Sequence, residues 1–357
     1  MKLGIIGLPG SGKSVLFRAL TGGLNPGDQR NRSDPGLGVV KVSDPRLDFL
    51  TQYHKPKKVT PVHVEYLDMA GLTGEGKQGR SLGDKFLSVI RPLDALVTCV
   101  RFFDSSSSGK PSPLGDYKNI EEEMILSDLS IVEKRLEKVA KDVSRGRKEF
   151  SEELELLTKA KDLLNEAKPL RLMKEVDQND KLRGFAFLSA KPQLILLNTG
   201  ENKTSDDAKT VMAELAEYVK DQPNVKLDWL YADTEAELAG LSPEEASEFL
   251  EEMSLEEGAK ERIIKRSFEL LNLIVFFTAG EPEVRAWSLV KGKTAVKAAG
   301  TVHSDMERGF IRAEVVAYDD FKAAGSMSAA HKAGKVRLEG RDYVVRDGDI
   351  MLFRFNV

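Results

Sequence analysis

The chain has 357 residues, of which 41% are hydrophobic and 31% are charged, and its formal net charge at pH 7 is −4. This length and composition are typical of a globular protein of two or three domains, and the acidic balance argues against DNA binding or RNA binding by bulk charge. No apolar run reaches the ~20 residues that a membrane-spanning helix needs, and the single cysteine, Cys99, excludes an internal disulfide, so we expect a cytoplasmic protein with no membrane partner.

The first region, residues 1–118, alternates short apolar runs with helical segments. Lys2–Ile6, Val62–Leu67 and Ala95–Arg101 are runs of the kind found in strands that are buried on both faces. Because helical segments separate these strands, the pattern predicts an α/β domain with a mainly parallel sheet.

The segment after the first strand matches the phosphate-binding loop pattern Gly-x4-Gly-Lys-Ser/Thr, between a strand and a predicted helix over Ser14–Leu20. Glycines let successive backbone N–H groups turn towards phosphate oxygens, and the helix start adds its positive end. We expect Lys13 to bind the β- and γ-phosphates and the Ser14 hydroxyl to bind Mg²⁺. The predicted nucleotide contacts in this loop are Gly7, Pro9, Gly10, Ser11, Gly12, Lys13, Ser14 and Val15.

A second element with the same chemistry follows the strand Val62–Leu67. Asp68 ends this strand, and Gly71 stands three residues later. In phosphate-loop proteins such an Asp holds Mg²⁺ and the Gly senses the γ-phosphate through its N–H, so we predict catalytic roles for Lys13, Asp68 and Gly71. Position 72 is a leucine, where many GTPases have a water-orienting glutamine, and this predicts slow intrinsic turnover. The glycine-rich stretch 73–83 is typical of a switch segment.

The spacing of apolar residues changes over residues 119–185. Apolar residues recur there at spacings of four and three, at Ile125, Leu129, Val132, Leu136, Val139 and Val143. This seam predicts a helix, which a turn at 144–147 joins to a second helix running from Glu149 to Pro169. The two helices would form an antiparallel coiled-coil hairpin inserted in the α/β domain, with their charged faces in solvent.

The α/β pattern returns over residues 186–272, with strands at Gln193–Leu197 and Lys226–Leu230 and a helix over Asp206–Lys220. Further helices are predicted at Pro243–Glu252 and Glu256–Leu271. The ends of the two strands are where base-recognition loops belong. The predicted base contacts are Asn198, Thr199, Glu201, Tyr231 and Ala232. GTPases have Asn-Lys-x-Asp at the first of these loops. This chain has Thr199 in place of the Lys and the longer Glu201 in place of the Asp, so we expect weaker hydrogen bonding to guanine.

The last region, residues 273–357, is rich in short strands and turn signals, which predicts a small α+β domain. The predicted strands are Ile274–Thr278, Arg285–Ser288, Phe310–Val315, Val336–Leu338, Tyr343–Val345 and Ile350–Phe355. Its basic residues, which are candidates for RNA contact or ordinary solvated charges, are Arg308, Arg312, Lys335, Arg337, Arg341, Arg346 and Arg354.

The full chain resembles the YchF family of Obg-like ATPases. The resemblance is carried by Gly-Leu-Pro-x-x-Gly-Lys-Ser (7–14), Asp-Met-Ala-Gly-Leu (68–72), Asn-x-x-Glu (198–201), Phe-Phe-Thr-Ala-Gly-Glu (276–281), Gly-Phe-Ile-Arg-Ala-Glu-Val (309–315) and the closing Phe-Arg-Phe-Asn-Val (353–357). It implies a C-terminal TGS domain with a ubiquitin-like β-grasp fold, hydrolysis of ATP in preference to GTP, and association with the ribosome through the TGS domain and the hairpin.

Three departures from the family pattern leave alternatives open. The family has a Thr where this chain has Val15, and its first switch contains a Thr that binds Mg²⁺, whereas the counterpart here, 32–36, offers only Ser33 or Asp34. The last base motif, usually Ser-Ala-Lys, reads Tyr231-Ala232-Asp233. We therefore keep Ser33 as the third candidate metal ligand. An ATPase, a true GTPase and a nucleotide-gated binding module with vestigial hydrolysis all remain possible.

Overall fold

A computed structural model of the chain describes residues 1–22, 36–69, 84–105, 109–252 and 258–356. The chain divides into two compact units, the first formed by Met1–Val40 and Glu65–Leu270 and the second by Lys41–Val64 and Leu271–Val357. Residues 41–64, which the sequence pattern assigns to the first region, therefore pack with the C-terminal part of the chain. The predicted boundaries at residues 118, 185 and 272 stay predictions.

The strands are β1 (Lys2–Ile6), β2 (Gly36–Lys41), β3 (Lys58–Thr60), β4 (His63–Asp68), β5 (Ala95–Phe102), β6 (Gln193–Thr199), β7 (Val225–Leu230), β8 (Leu273–Ala279), β9 (Glu283–Val290), β10 (Phe310–Ala317), β11 (Arg337–Glu339) and β12 (Asp349–Phe355). The helices are α1 (Lys13–Thr21), α2 (Pro45–His54), α3 (Asp84–Ile90), α4 (Pro113–Ser144), α5 (Ser151–Asn165), α6 (Glu175–Gln178), α7 (Asp180–Arg183), α8 (Ser205–Val219), α9 (Ala232–Leu238), α10 (Pro243–Glu252), α11 (Ala259–Leu270), α12 (Ala295–Val302), α13 (Ser304–Arg308), α14 (Tyr318–Ala324) and α15 (Met327–Lys332).

The first unit is built on a six-stranded sheet in the order β2-β4-β1-β5-β6-β7. β1 pairs in parallel with β4 and β5, and β6 pairs in parallel with β5 and β7. Every residue of β6 is buried, as the continuous apolar run predicts for a central strand with both faces covered. Because the strands are parallel, the loops that follow β1, β4, β5 and β6 meet at one edge of the sheet.

The helical hairpin of the first unit consists of α4 and α5, and Val132, Val139 and Leu157 form part of its buried seam. α4 begins at Pro113, earlier than predicted, because Pro is favoured in the first helical turn. The predicted end of the second helix at Pro169 is wrong. α5 ends at Asn165, and Ala167 adopts a positive φ of 55° that no α-helix can contain.

The second unit is built on a mixed sheet in the order β11-β10-β12-β8-β9-β3. Its core includes Phe276, Val315 and Phe353 together with Ala298 of α12, so the predicted α+β character is confirmed. β3 lies parallel to β9, with Lys58 opposite Glu283, which explains why residues 41–64 belong to this unit.

One predicted strand of the second unit, Tyr343–Val345, is wrong. Val344 forms only an isolated bridge to Thr294. The chain turns immediately afterwards, because the Asp349 carboxylate accepts hydrogen bonds from the Arg346 N–H and the Tyr343 hydroxyl at 2.8 Å each, so no longer ladder forms.

Candidate functional site

The loop after β1 follows a path that only glycine allows at its two ends. Gly12 directly precedes α1 with φ 89°, and a Cβ there would collide with the side-chain amide of Asn198. A Cβ on Gly7 would lie 2.5 Å from the carbonyl oxygen of Cys99 and 2.6 Å from the hydroxyl of Ser11. The loop is therefore pressed closely against the ends of β5 and β6, and its conformation depends on both glycines.

Lys13 is a buried cation whose hydrogen bonds go to backbone carbonyl oxygens. Its side chain turns back over the loop, and Nζ donates hydrogen bonds to the carbonyl oxygens of Gly7 at 3.0 Å and Leu8 at 2.8 Å. The residue is only 5% exposed, and no carboxylate among the described residues lies within ion-pair distance. Burial lowers the pKa of Lys13, and electrostatic interactions with Cys99 and Asp68 oppose this shift. Such an ammonium is poised to receive an anion.

The start of α1 offers a second source of positive potential beside Lys13. The first turn of the helix carries no acidic side chain, so the exposed N–H groups and the helix dipole are not neutralised locally. Ser14 is exposed in this turn, whereas Val15 is half-buried and has no hydroxyl to offer. The geometry is that of an anion site at a helix N-terminus.

Asp68 is the last residue of β4 and lies opposite Ile5 of β1 in the parallel ladder. Its charge raises the pKa of Lys13 against the effect of burial, so the two residues lie close enough to interact electrostatically. The structure thus brings two predicted catalytic residues together. Gly71 and Ser33 lie outside the described residues, as do Leu72 and the stretch 73–83.

Asn198, at the end of β6, forms hydrogen bonds to the loop after β1 and to the start of α9 at this edge of the sheet. It is buried at the end of β6, its Nδ2 donates to the carbonyl oxygen of Ser11 at 3.1 Å, and its Oδ1 accepts from the Ala232 N–H at 3.3 Å. Thr199 is also buried, whereas Glu201 is exposed. Asn198 therefore joins the phosphate loop to the start of α9, where the predicted base contact Ala232 lies.

Two aromatic residues flank the same edge. Tyr231 donates from its hydroxyl to the carbonyl oxygen of Lys203 at 3.0 Å. The sequence analysis missed Phe103, whose ring lies 3.8 Å from the position of a Cβ on Gly12 and whose Cβ lies 2.7 Å from that on Gly200. Its place directly after β5 was the available signal, since the carboxyl ends of neighbouring parallel strands meet at one edge.

Beneath the loop, Cys99 is confirmed as a buried residue. Its Sγ donates to the Ser11 carbonyl oxygen at 3.2 Å, and burial raises the pKa of the thiol to about 12. The hydroxyl of Ser11 is buried and has no hydrogen-bond partner among the described residues.

This loop, sheet and set of side chains define a P-loop nucleotide-binding domain. Residues 2–135 match the profile of a family described as 50S ribosome-binding GTPase, and residues 273–356 match YchF-GTPase_C, described as a protein of unknown function. Within the described part of the chain, no helix is both long enough and apolar enough to cross a membrane.

Proteins similar to this one over the full length confirm the resemblance. The chain is 42% identical to the ribosome-binding ATPase YchF of Bacillus subtilis, with 99% of each chain covered. It is 37% identical to the human Obg-like ATPase 1, covering all of this chain and 92% of that protein. The solved structure of the Schizosaccharomyces pombe YchF GTPase superposes with a TM-score of 0.85 at 31% identity, covering 99% of this chain and 97% of that one. The chain belongs to the YchF family of Obg-like ATPases.

Proposed function

We propose that this protein binds ATP with Mg²⁺, hydrolyses it slowly, and acts in the cytoplasm in association with the ribosome. The observation that carries the proposal is the buried ammonium of Lys13, which has no carboxylate of the described residues within ion-pair distance and lies beside the positive end of α1. A triphosphate supplies the negative charge that this site lacks. The names of the bacterial relatives, which describe ribosome-binding ATPases, support the partner and the substrate.

In this proposal the protein promotes hydrolysis by placing positively charged and N–H groups around the phosphates of ATP. The backbone N–H groups of residues 7–14 other than Pro9 surround the phosphates, and Lys13 leaves the two loop carbonyls to bind the β- and γ-phosphate oxygens. A water molecule attacks the γ-phosphorus while the bond from that atom to the β–γ bridging oxygen breaks, which gives ADP and inorganic phosphate. Lys13 and the loop N–H groups stabilise the charge that develops on the phosphate oxygens. The aliphatic side chain of Leu72 cannot orient this water, which accounts for slow turnover.

The donor set fits Mg²⁺. Ser14 and Asp68 offer a hydroxyl and a carboxylate oxygen, and Mg²⁺ prefers oxygen ligands while keeping several waters and substrate phosphates. No group of three or more His, Cys, Asp or Glu side chains that could hold a metal ion occurs in the described residues. Ser33 is proposed as a further ligand from the sequence alone. When bound, Mg²⁺ neutralises phosphate charge in the transition state.

The base site favours adenine in this proposal. The Asn198 amide is committed to Ser11 and Ala232, Thr199 replaces the usual lysine, and the exposed Glu201 replaces the usual aspartate. GTP is the second candidate, because position 201 keeps a carboxylate that can accept from guanine. Competition of ATP and GTP for a bound fluorescent nucleotide separates the two. GTP binding at least tenfold tighter, ~1.4 kcal/mol, would overturn the preference for ATP.

Phosphate release by the purified protein, measured with Mg²⁺ in the presence and absence of ribosomes, tests the enzymatic part. We expect slow release from ATP, and ribosome association is tested by co-sedimentation in the same samples. If nucleotide binds but no phosphate is released under either condition, the protein is a nucleotide-gated binding module instead.

A further inference from the structure

We propose that a pocket at the amino-terminal ends of β5 and β6 binds a small molecule that carries one carboxylate on an apolar body. Asp94 of the pocket lining directly precedes β5, and Lys191 lies two residues before β6. Asn198 and the phosphate loop lie at the carboxyl ends of the strands, roughly 20 Å away along β6. The pocket is therefore separate from the nucleotide site, and its ligand takes no part in the proposed hydrolysis.

The walls of this pocket are mostly apolar. It has a volume of about 210 Å³ and lies between the start of β6 and the segment 176–187, which follows the hairpin. A cavity of about 150 Å³ is enough for benzene, so the pocket has room for one ring or a short aliphatic chain together with a carboxylate. The apolar residues of the lining are Val176, Leu182, Ala186, Phe187, Ala190 and Pro192. Such walls favour an apolar body over water, because a buried water needs about 2–4 polar partners.

The cation of the pocket is the buried ammonium of Lys191. The residue is 9% exposed, and Nζ donates hydrogen bonds to the carbonyl oxygens of Arg91 at 2.8 Å and Leu93 at 2.5 Å. An ammonium has three N–H donors, so one donor remains for a ligand. No carboxylate of the described residues lies within ion-pair distance of this nitrogen.

The charge state of Lys191 suits an anionic ligand. Burial lowers the pKa of Lys191 to about 8, an effect that the charges of Asp94 and Asp128 oppose and that of Arg91 reinforces. At pH 7 the amine is still mainly protonated. A carboxylate beside it would offset the cost of keeping this charge away from water.

The other two charged residues of the lining, Asp94 and Arg183, are exposed and lie at the mouth of the pocket. Asp94 accepts a hydrogen bond from the N–H of Lys2 at 2.7 Å, and Arg183 pairs with Asp180 at 3.0 Å. With Lys191, the lining carries two cations and one anion, an excess of one positive charge. A monocarboxylate matches this excess, and its apolar body covers the walls, whereas inorganic phosphate carries more charge and no apolar surface.

Titration of the full chain with phenylacetate, followed through the NMR signals of the ligand, tests the proposal. Phenylacetamide is the matched neutral ligand, because it keeps the ring and the shape and lacks the charge. We expect it to bind at least about tenfold more weakly, a loss of ~1.4 kcal/mol. Phenethylamine and inorganic phosphate represent the alternative ligand classes. Saturating ATP with Mg²⁺ should leave the affinity for phenylacetate unchanged, because the two sites are separate.

Three variants locate the bound carboxylate. Lys191→Met should weaken phenylacetate binding at least about tenfold and leave phenylacetamide binding within about threefold. Arg183→Gln, a change at an exposed position, should weaken phenylacetate binding by about threefold. The control Lys181→Met removes an exposed lysine of α7 that pairs with Glu152 and does not line the pocket, so it should keep the wild-type affinity. Circular dichroism checks that each variant is folded.

Absence of saturable phenylacetate binding by the wild type would overturn the proposal. Equal affinity for phenylacetamide, tighter binding of phenethylamine, displacement of phenylacetate by inorganic phosphate, or unchanged affinity in a folded Lys191→Met variant would do the same. Displacement by ATP would place phenylacetate at the nucleotide site and is equally contrary. If Lys191→Met does not fold, the phenylacetamide comparison and Arg183→Gln decide. Normal phenylacetate binding by a protein that binds no ATP would contradict the proposed function alone.

Discussion

Two buried charged residues of the first unit, Lys13 and Glu121, have different environments. At the phosphate loop, the hydrogen bonds of the buried Lys13 within the described part of the chain go to two backbone carbonyl oxygens. At the base of the hairpin, Glu121 is equally buried but accepts hydrogen bonds from the hydroxyls of Tyr117 at 3.1 Å and Tyr218 at 3.2 Å, and it pairs with the buried guanidinium of Arg171. The ammonium of Lys13 is available to a ligand, whereas the carboxylate of Glu121 has its hydrogen-bond and ion-pair partners within the protein.

A second buried carboxylate at the hairpin base, like Glu121, has its hydrogen-bond partners within the protein. Asp128 of α4 is fully buried, and it accepts from the N–H groups of Leu188 and Ser189 at 3.0 and 2.7 Å and from the Ser189 hydroxyl at 2.8 Å. Buried charges are expensive unless they are paired. Substitutions at the hairpin base should therefore cost stability, and substitutions at the phosphate loop should cost activity.

The largest effect is expected from Glu121→Leu, because it leaves the Arg171 guanidinium buried without its counter-charge. Loss of one partner of a buried pair costs about 3–5 kcal/mol in the free energy of unfolding. The double variant Glu121→Leu/Arg171→Met should recover most of this loss. Urea unfolding followed by circular dichroism measures both. A single variant within 1 kcal/mol of the wild type (about a fivefold change in the folding equilibrium) would contradict the comparison.

Lys13→Met should lower the rate of ATP hydrolysis by about 10²–10³-fold, because the variant lacks the cation that stabilises charge on the phosphates. Its stability should equal or exceed that of the wild type, since a desolvated charge is removed. Phosphate release and urea unfolding measure the two effects.

Lys191→Met is the matched control for Lys13→Met. Lys191 is also a buried lysine whose Nζ donates to two carbonyl oxygens, those of Arg91 at 2.8 Å and Leu93 at 2.5 Å, but it lies two residues before β6, at the opposite end of that strand from Asn198. We expect this variant to keep its hydrolysis rate and, because a desolvated charge is removed here as well, to keep or gain stability at neutral pH. Equal losses of hydrolysis in both variants would show that burial, and not the position of Lys13, sets the activity.

The pH dependence of stability should report on Lys191. Burial lowers its pKa from the usual 10.5 to about 8. The unfolded chain then binds more protons than the native state between pH 8 and 10.5, so this residue makes stability rise with pH in that window. Relative to Lys191→Met, we expect the wild type to gain about 2 kcal/mol between pH 8 and 10 in urea unfolding. A flat difference would contradict the assignment.

The smallest effect is expected from Ser11→Ala. The Ser11 hydroxyl is buried without a partner among the described residues, so its removal should stabilise the protein by about 1 kcal/mol. ATP affinity should change little, because Ser11 contributes its backbone to the loop. A large loss of affinity in calorimetry would show that this hydroxyl, like Lys13, is reserved for the ligand.

The sequence predicts the parts of this protein that depend on local patterns. The phosphate loop, the buried strands and the hairpin seam follow from spacing within short segments, and the structure contains the predicted strands of the first unit and both hairpin helices. The pairing of β3 with β9 joins segments more than 200 residues apart, and a three-residue strand carries no periodic signal.

The charged residues of the hairpin show the second limit. Glu121 and Asp128 lie in a helix whose charged faces the sequence assigns to solvent, yet both are buried. A charge pattern does not reveal which carboxylates meet donors from distant segments, such as Ser189 for Asp128. Phe103 was missed for the same reason, since its neighbours Gly12 and Gly200 are distant in sequence.

Titration calorimetry of ATP with Mg²⁺, performed on the wild type and on Lys13→Met, tests the central claim most directly. If the buried ammonium of Lys13 is held for a triphosphate, the wild type binds ATP and the variant binds it at least about 10²-fold more weakly, a loss of ~2.7 kcal/mol. Equal binding by both proteins, or binding of neither ATP nor GTP by the wild type, would contradict the account.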